Sequence, residues 1–478
     1  METLELLIIS IIGCAVLAFI TPYRKALFAI VVTVCFLLTI GAFVVYFNVG
    51  DPHFVLGNFH KTIGIEHSFT DVSRIMATII IISGIYTLLV LLRINSTRLK
   101  YSIGFTSIAI VCGLILVMTG DLFNFYVFLE LMTICICLIF ANTDSTHNKK
   151  HTLEYLLIGG VGAIFLVLAI EIIYIIFNTL NISIIAEYSD SFNVSEDSLL
   201  KVVVSLIILT SFLKLGIFPF TSWVRKIYTV CPRYFLPFYG SVISNIAIYT
   251  LLFFLYGALH RYSLIIFASH IITPFCVMGI ILFSVTAIKE RDLRVMMAYS
   301  TLAQVGYIYI SLVTPNIHSI AGGIIHMMHN SLVKFGIFVF IVQLYNLRKS
   351  YSVSAIKGVG SNTLVGIAFC ILAASLIGIP GTSGFISKFY MVQGLVESGK
   401  FFVLAIFTIG TVLNMVYIWR IISAMYFEKH PDSEVVFPAL SQILIMIPAV
   451  VVVIFGVVTN YTLEIPQQIA TNFLQSLN

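Results

Sequence analysis

Charged residues are scarce in this chain, and their scarcity excludes a soluble fold. Asp, Glu, Lys and Arg make up 10% of the 478 residues, whereas about a quarter is usual in a soluble domain. Hydrophobic residues account for 60%, and the mean hydropathy is +1.07. At about 20 residues per membrane-spanning helix, the chain has room for a dozen or more spans. We therefore expect a single transmembrane domain over residues 1–478.

Motifs for metal clusters, nucleotides and nucleic acids are also missing. The eight cysteines have no CxxC spacing, so neither a metal nor an iron-sulfur cofactor is expected. No Gly-rich nucleotide loop is present. The net charge is +5, but no basic run exceeds a few residues, so nucleic acid is not an expected partner. The cysteines are expected to be small buried hydrophobes: Cys14, Cys35, Cys112, Cys135, Cys137, Cys231, Cys276 and Cys370.

Long apolar runs dominate the sequence and predict an all-α, polytopic membrane protein of about fourteen helices. The first run follows an acidic METLEL start without a basic n-region or a cleavage site, so we expect a retained helix. The predicted spans are 4–21, 26–48, 72–92, 101–119, 122–141, 153–177, 199–220, 235–257, 263–288, 296–313, 318–346, 362–391, 401–426 and 436–458.

The distribution of Lys and Arg predicts the orientation of these spans. Of the 26 basic residues, 18 lie in loops after odd-numbered spans, five lie in the other loops, and three lie within spans. Because Lys and Arg concentrate in cytoplasmic loops, this bias predicts both termini outside the cytoplasm.

Ionisable residues inside predicted spans are the most informative feature of the sequence. An ionisable side chain at membrane depth costs about 2.5–3.5 kcal/mol on insertion scales, so it usually faces a protein or water-filled interior and serves a function. The alternative is a side chain near a span end that reaches the headgroups. The residues in question are Lys214, Lys334, Lys388, Glu130 and Glu171.

Two predicted spans contain helix-breaking residues beside a lysine. Span 7 reads LTSFLKLGIFPFTSW, with Lys214 five residues before Pro219, and span 12 reads SLIGIPGTSGFISKFYM, with Lys388 after a Pro, Gly and Ser cluster. Proline frees carbonyl groups that must find partners inside the membrane. Breaks five spans apart predict two inverted five-helix repeats, approximately 101–257 and 263–426. An ordinary kinked helix explains either proline alone, but not a lysine beside both.

At these residues the chain resembles the antiporter-like membrane subunits shared by respiratory complex I, membrane-bound hydrogenases and Mrp-type cation/proton antiporters. The matching stretches are TGDLFNFYVFLELMTI, FLKLGIFPFTSW, KERDLRVMMAYSTLAQVGYI and GIPGTSGFISKF. A fifth stretch, GGIIHMMHNSLVKFGIF, is most similar to the Mrp D-type subunit, in which a histidine precedes a Val-Lys pair. The resemblance extends from about residue 70 to residue 430.

The resemblance implies broken seventh and twelfth helices and a hydrated axis along which protons move. In that arrangement Glu130 pairs with Lys214, and Lys388 is the distal exchange point. A nearby carboxylate favours a charged lysine, whereas desolvation favours the neutral form, so a small movement can load or release a proton. For the two histidines, a hydrogen-bonded core position is the alternative. The implied proton-translocating residues are Glu130, Lys214, Lys334, Lys388, His326 and His329.

The sequence departs from the family at the junction of spans 7 and 8. Thr221, Trp223, Val224, Arg225 and Tyr228 occupy a segment in which relatives carry two histidines. Relatives also carry a lysine four residues before a tyrosine in span 8, where this chain has Asn245 before Tyr249. Asparagine can hydrogen-bond water but cannot carry a proton as a charge.

Two interpretations of this departure stay open. Either Asn245 holds an ordered water while His326 or Lys334 takes over the charged step, or the central link is broken and transport is altered. Glu171 is a further candidate for a substitute site or a cation ligand. One carboxylate does not specify sodium, because an oxygen-lined site needs several ligands.

The leading hypothesis is an ion-translocating subunit of a multisubunit Mrp-type antiporter in the bacterial inner membrane. Its expected partners are other hydrophobic subunits, membrane lipid and protons, with sodium left open. The second hypothesis is a proton-pumping subunit of a complex I-like NADH:quinone oxidoreductase or a hydrogenase, with catalysis in partner subunits. A third is a degenerate paralogue that holds a complex together without conducting, against which the retained Lys214, Lys388 and Glu130 argue.

Overall fold

The structure is a computed structural model that describes residues 54–55, 64–68, 70–91, 99–143, 145–188, 194–361, 363–428 and 436–475. The first two predicted spans, 4–21 and 26–48, lie outside the described residues. The helices are α1 (Asp71–Leu91), α2 (Leu99–Met118), α3 (Leu122–Ala141), α4 (Thr146–Phe177), α5 (Ile182–Tyr188), α6 (Val194–Leu215), α7 (Val224–Val230), α8 (Leu236–Ala258), α9 (Tyr262–Lys289), α10 (Leu293–Leu312), α11 (Ile317–Arg348), α12 (Thr363–Ile377), α13 (Ser383–Glu397), α14 (Phe401–Phe427), α15 (Ala439–Val457) and α16 (Thr459–Gln475).

Eleven of the twelve predicted spans from residue 72 onward each coincide with one helix, and the span 362–391 covers two helices, α12 and α13. Among the described residues, ten helices are long and apolar enough to cross a membrane, and α12 and α15 are shorter apolar helices. The prediction of a polytopic helical membrane protein is confirmed. Helices α5, α7 and α16 were not predicted, because the first two have only seven residues each and α16 is too polar to be recognised by hydropathy.

A short β-hairpin is an exception to the all-α prediction. Strands β1 (Phe54–Val55) and β2 (Glu66–His67) pair antiparallel. Glu66 is 1% exposed and accepts hydrogen bonds from Asn181 Nδ2 at 2.7 Å and Ser183 Oγ at 3.1 Å. Burial also lowers the pKa of His67 to about 4, because an imidazolium is poorly solvated there. Strands of two residues are too short for a sequence pattern to reveal.

Polar residues set the ends of several helices. Asp292 and Asn316 accept backbone N–H groups from the first turns of α10 and α11, which satisfies donors that have no partner within the helix. Helices α4 and α11 are followed by Asn178 and Lys349, both with φ of 53°. A left-handed residue at this position is a common way to terminate a helix.

The described residues group into two compact units. The first contains α1–α5, α6 as far as Thr210, and residues 230–238 and 257–259; the second contains residues 211–229, 239–256 and the chain from His260 onward. Within the first unit, Asn142 Nδ2 and Tyr234 Oη both lie 2.9 Å from Ser102 Oγ. The predicted repeat boundaries do not coincide with these units, and the repeats stay a prediction.

Helix α11 is the core of the second unit. Most of its side chains are buried, including those of His326, His329 and Lys334. It packs closely on α13 because two glycines remove side chains from the contact: a Cβ at Gly322 would lie 2.7 Å from the backbone nitrogen of Met391, and one at Gly394 would overlap the backbone of Ser319. This close approach brings the polar side chains of α11 and α13 within hydrogen-bonding distance.

An exposed polar cluster joins the start of α11 to the end of α13. The carboxylate of Glu397 accepts hydrogen bonds from Asn316 Nδ2 at 3.0 Å and Gln393 Nε2 at 2.9 Å, and it lies 2.8 Å from His318 Nδ1. These donors lower the pKa of Glu397 to about 2. The Glu397 side chain is therefore ionised at neutral pH, and it holds the end of α13 beside the start of α11.

Helix α8 departs from regular α-helical geometry at two points. Residues Tyr239–Ile243 and Phe253–Ala258 form π-helical turns, which flank the regular segment Ser244–Leu252. A π-helical turn inserts one extra residue into a helix and is frequent at functional sites. Asn245, the residue at the predicted departure from the family, lies just after the first of these turns.

Candidate functional site

The two predicted helix breaks are present. Helix α6 ends at Leu215 and is followed by Gly216 with φ of 76°, and the chain resumes as α7. Helix α12 ends at Ile377 and is followed by Gly378 with φ of 95°, before α13 begins at Ser383. Glycine adopts positive φ without the steric penalty of a side chain.

Lys388 lies on the first turns of α13 and reaches the end of α12. Its Nζ donates hydrogen bonds to the carbonyl oxygens of Leu376 at 3.0 Å and Ile377 at 2.8 Å. The last carbonyl groups of a helix have no partner within it and carry partial negative charge. The break in the helix therefore creates the acceptors that hold the ammonium of Lys388, which is only 7% exposed.

Lys334 is fully buried on α11 and is held by neutral groups. Its Nζ donates to Ser300 Oγ at 2.6 Å and to the Met297 carbonyl oxygen at 3.2 Å. Ser300 Oγ lies 2.6 Å from Tyr417 Oη. Among the described residues, neither Lys334 nor Lys388 forms an ion pair with a carboxylate. When these two lysines are protonated, their positive charge is therefore stabilised by neutral hydroxyl and carbonyl oxygens.

His326 connects α10 with α13. Its Nε2 lies 2.8 Å from Gln304 Oε1, and its Nδ1 lies 2.9 Å from Ser387 Oγ. An amide oxygen only accepts, so His326 Nε2 carries a hydrogen. Ser387 Oγ also lies 3.0 Å from the carbonyl oxygen of Gly384, to which its hydroxyl can donate. The hydroxyl of Ser387 thus has two alternative acceptors, His326 Nδ1 and the Gly384 carbonyl.

His329, one helical turn further along α11, contacts two serines. Its Nδ1 lies 3.0 Å from Ser383 Oγ and 3.3 Å from Ser375 Oγ. Its Nε2 is buried and has no hydrogen-bond partner among the described residues. The rings of His326 and His329 are 5.3 Å apart between centroids. The two imidazoles are therefore neighbours that share one polar face of α13.

Asn245, on α8, is completely buried. Its Nδ2 donates to the carbonyl oxygen of Ser241 at 3.0 Å, and that oxygen also accepts from Ser331 Oγ at 2.8 Å. Asn245 Oδ1 and both amide atoms of Asn330 are buried without a partner in the part of the chain that the structure describes. Buried polar atoms are normally hydrogen-bonded to protein or to ordered water, so this region favours water.

The structure brings together four of the six predicted site residues, all on α11 and α13. Lys214, on the last turn of α6, is half-buried in the same unit. Glu130 lies on α3 in the other unit and is also half-buried, so its predicted pairing with Lys214 stays a prediction. Glu171 is exposed on α4, a position that offers no enclosed cation site. The clustered residues are His326, His329, Lys334 and Lys388.

Several hydrogen-bonding residues of this cluster were not predicted. Ser300 and Gln304 lie four residues apart in YSTLAQVGY, and Ser383 and Ser387 lie four apart in SGFIS. Four-residue spacing places each pair on one helix face. This spacing was available in the sequence, but serines within helices commonly bond to their own helix, as Ser205 does to the Lys201 carbonyl.

Removing the hydroxyl of Ser387 is expected to impair transport without unfolding the protein. In Ser387→Ala, His326 Nδ1 loses its partner in the described structure, and an unsatisfied buried group costs about 1–3 kcal/mol. We expect proton-coupled transport by vesicles containing the whole complex to fall about tenfold, because 1.4 kcal/mol corresponds to a factor of ten. Ser205→Ala is the matched control and should transport normally. Wild-type transport by Ser387→Ala would show that this hydroxyl plays no part.

Comparison with known proteins identifies relatives for most of the chain. Residues 119–414 match the model of the family described as NADH:quinone oxidoreductase/Mrp antiporter, TM. NADH-quinone oxidoreductase subunit N from Desulforudis audaxviator is 30% identical over 315 residues, a match that covers 66% of this chain and 62% of that protein. The antiporter subunit mnhD2 of Staphylococcus aureus is 24% identical and covers 78% of this chain and 74% of that protein.

Solved structures share the fold along nearly the whole chain. A chain of the Mrp complex from Dietzia sp. DQ12-45-1b superposes with a TM-score of 0.85 at 17% identity, covering 100% of both chains. A chain of the membrane-bound sulfane sulfur reductase, an archaeal respiratory membrane complex, gives 0.87 at 20% identity and covers 100% of this chain and 99% of that chain. Respiratory complex I from Thermus thermophilus gives 0.78 at 17% identity, covering 97% and 98%.

Proposed function

This chain belongs to the NADH:quinone oxidoreductase/Mrp antiporter family of membrane subunits, and we propose that it moves protons as a subunit of a multisubunit Mrp-type monovalent cation/proton antiporter. The observation that carries the proposal is the set of contacts made by the buried ionisable residues of α11 and α13, in which Lys334, His326 and Lys388 each contact a hydroxyl or carbonyl oxygen. Buried ionisable groups in a membrane protein are costly and are usually kept for ion movement.

The hydroxyl of Ser387 gives His326 two hydrogen-bonding states. When His326 is neutral, the hydroxyl donates to Nδ1. When His326 is protonated, Nδ1–H donates to Ser387 Oγ, and the hydroxyl rotates to donate to the carbonyl of Gly384 at 3.0 Å. Each state satisfies every group involved, so protonation requires rotation of one hydroxyl rather than movement of a helix. This property suits a histidine relay.

Lys388 is the proposed exchange point at one end of this path. Two carbonyl oxygens at the end of α12 stabilise its ammonium, and the helix dipole adds to their effect. Loss of the proton leaves a neutral amine, whose two remaining N–H groups can still donate to these two carbonyl oxygens. Lys388 follows Ser387 directly in the chain, so the relay histidine and the exchange lysine depend on the same half-helix.

We propose that Lys334 holds a proton at the other end of the path. Its ammonium donates to Ser300, whose hydroxyl lies 2.6 Å from Tyr417 Oη. A chain of hydroxyl groups can pass a proton by successive rotation. At Asn245, where an amide cannot carry the charge, we propose that water bound to the unpartnered amide oxygens of Asn245 and Asn330 connects Lys334 with Lys214. The pairing of Glu130 with Lys214 belongs to the same proposal.

A redox-driven proton pump is the second candidate function. The 30% identity to a NADH-quinone oxidoreductase subunit favours this alternative. In either case we propose that the chain lies in a bacterial inner membrane with both termini outside the cytoplasm, a topology supported by the distribution of Lys and Arg. Other hydrophobic subunits are the proposed partners, and the coupling cation is left open.

Purification of the intact complex separates the two functions. The tagged chain is extracted from its native membrane in a mild detergent, bound subunits are identified by mass spectrometry, and cation/proton exchange is measured in vesicles containing the whole complex. The antiporter proposal predicts hydrophobic partners and exchange that is lost in Lys214→Ala and Lys388→Ala. Iron-sulfur or flavin subunits would establish the pump instead. Unchanged exchange in both variants would refute the assigned residues.

A further inference from the structure

Two histidines at the start of α4 face each other outside the proton path. His147 and His151 lie four residues apart, which places them on the same face of the helix. Their Nε2 atoms are 3.0 Å apart, and their rings are perpendicular with centroids separated by 4.3 Å. Ser145 caps the helix immediately before them by accepting the Asn148 N–H. The pair is therefore attached to an ordered helical turn.

Glu154 fixes the tautomer of one member of the pair. Glu154 Oε2 lies 3.2 Å from His151 Nδ1, and a carboxylate only accepts, so Nδ1 carries the hydrogen. His151 Nε2 then has a free lone pair directed at His147. Histidines that bind metals almost always donate their other N–H to a carboxylate, a carbonyl or water in this way. The carboxylate orients the ring.

We propose that His147 and His151 form a bidentate site for a divalent transition-metal ion of the Zn²⁺, Ni²⁺ or Cu²⁺ class, completed by water or by a partner subunit. With metal–nitrogen bonds of about 2.0–2.1 Å, nitrogens 3.0 Å apart subtend about 95° at the metal, an angle that needs only slight opening for tetrahedral Zn²⁺. Imidazole selects this class over Mg²⁺ and Ca²⁺, which prefer oxygen ligands.

Metal binding to the neutral histidine pair releases no proton. In the metal-free state, His147 donates Nε2–H to the lone pair of His151 Nε2. When the metal binds, the His147 proton moves to Nδ1, and both Nε2 lone pairs bond to the metal. The site differs from larger metal centres, because the described residues contain no group of three or more His, Cys, Asp or Glu side chains that could hold a metal ion. The remaining ligands of the proposed site are water or groups of a partner subunit.

Metal titration of the intact complex tests this site. The complex is purified through a tag without histidines, and bound Zn²⁺ and Ni²⁺ are measured by equilibrium dialysis and elemental analysis in the presence of excess Mg²⁺. We expect one site per chain that is lost in His147→Ala and in His151→Ala, because bidentate binding needs both rings. Glu154→Gln should weaken binding about 10–100-fold, the effect of removing a partner outside the ligand shell.

A single histidine elsewhere provides the matched control. His270→Ala removes an exposed imidazole on α9, and it should leave this site intact. His147 is exposed and His151 has 13% of its side chain accessible, so their replacement by alanine should not unfold the protein. The proposal is overturned if either single variant binds as the wild type does, or if His270→Ala weakens binding equally. Because the experiment measures the amount of bound metal, its result does not depend on whether the complex transports protons.

Discussion

The variant Lys388→Gln is expected to abolish proton-coupled transport while the complex still assembles. Glutamine keeps N–H donors for the carbonyl oxygens of Leu376 and Ile377, which now receive the lysine ammonium. It cannot carry a proton as a charge. Removing an acid–base group typically costs about 10²–10⁴ in rate, so exchange should fall about a hundredfold or more. Exchange is measured in vesicles that contain the whole complex.

A second substitution at the same position separates charge from proton exchange. Lys388→Arg retains a permanent positive charge, because a guanidinium does not lose its proton in proteins. If Lys388 acts by exchanging a proton, the arginine variant should be as inactive as the glutamine variant. If Lys388 only stabilises the end of α12, both variants should transport. Lys201→Gln is the control, because Lys201 forms a surface pair with Asp197 at 2.8 Å and should tolerate the change.

The variant Gly384→Ala is expected to destabilise the protein strongly, because it disturbs the packing of α12 against α13. A Cβ at this position would overlap the carbonyl oxygen of Ser375 and lie 2.9 Å from His329 Cε1. Backbone cannot move aside as a flexible side chain can, so α13 must shift away from α12. We expect the free energy of unfolding to fall by about 1–3 kcal/mol, as for overpacked cores. The shift would also pull Lys388 from its carbonyl acceptors, and transport should be lost.

Thermal unfolding with a thiol-reactive dye measures this effect, because Cys112, Cys135, Cys137 and Cys276 are buried in the folded protein. Gly160→Ala is the control: a Cβ at Gly160, on α4, has no neighbour within 4 Å in the described structure. Alanine there should be neutral or should stabilise the helix by about 0.5–1 kcal/mol. Equal stability of the Gly384 and Gly160 variants would show that α13 has room to move without cost.

The broken helices could be predicted because their cause is local. Pro219 and the GIPGTSG segment interrupt apolar runs, and proline and glycine act on the backbone at their own positions. The lysines stand out for a similar reason, since a charge in an apolar run is visible without knowledge of the fold. Both features are present where the sequence places them, although the pairing of Glu130 with Lys214 depends on tertiary structure and stays a prediction.

The hydrogen-bond partners of these lysines and histidines could not be predicted, because they depend on which helices meet. Ser387 lies 61 residues from His326 along the chain, and Gln304 lies 22 residues from it. The contact between them requires the close approach of α11 and α13, which Gly322 and Gly394 permit. A lone glycine in an apolar helix gives no indication of its neighbour. The sequence therefore reveals the charged groups but not the neutral groups that connect them.

The π-helical turn at Tyr239–Ile243 gives α8 a second possible register. It contains one residue more than an α-helical turn needs, and one residue of an α-helix corresponds to a rotation of about 100°. If this turn relaxed to α-helical geometry, Ser244 would occupy the place of Asn245 and the amide would rotate away. A hydroxyl would then replace an amide at the place that Asn245 now occupies. The side chain that α8 presents at this position therefore depends on whether Tyr239–Ile243 is wound as a π-helical or an α-helical turn.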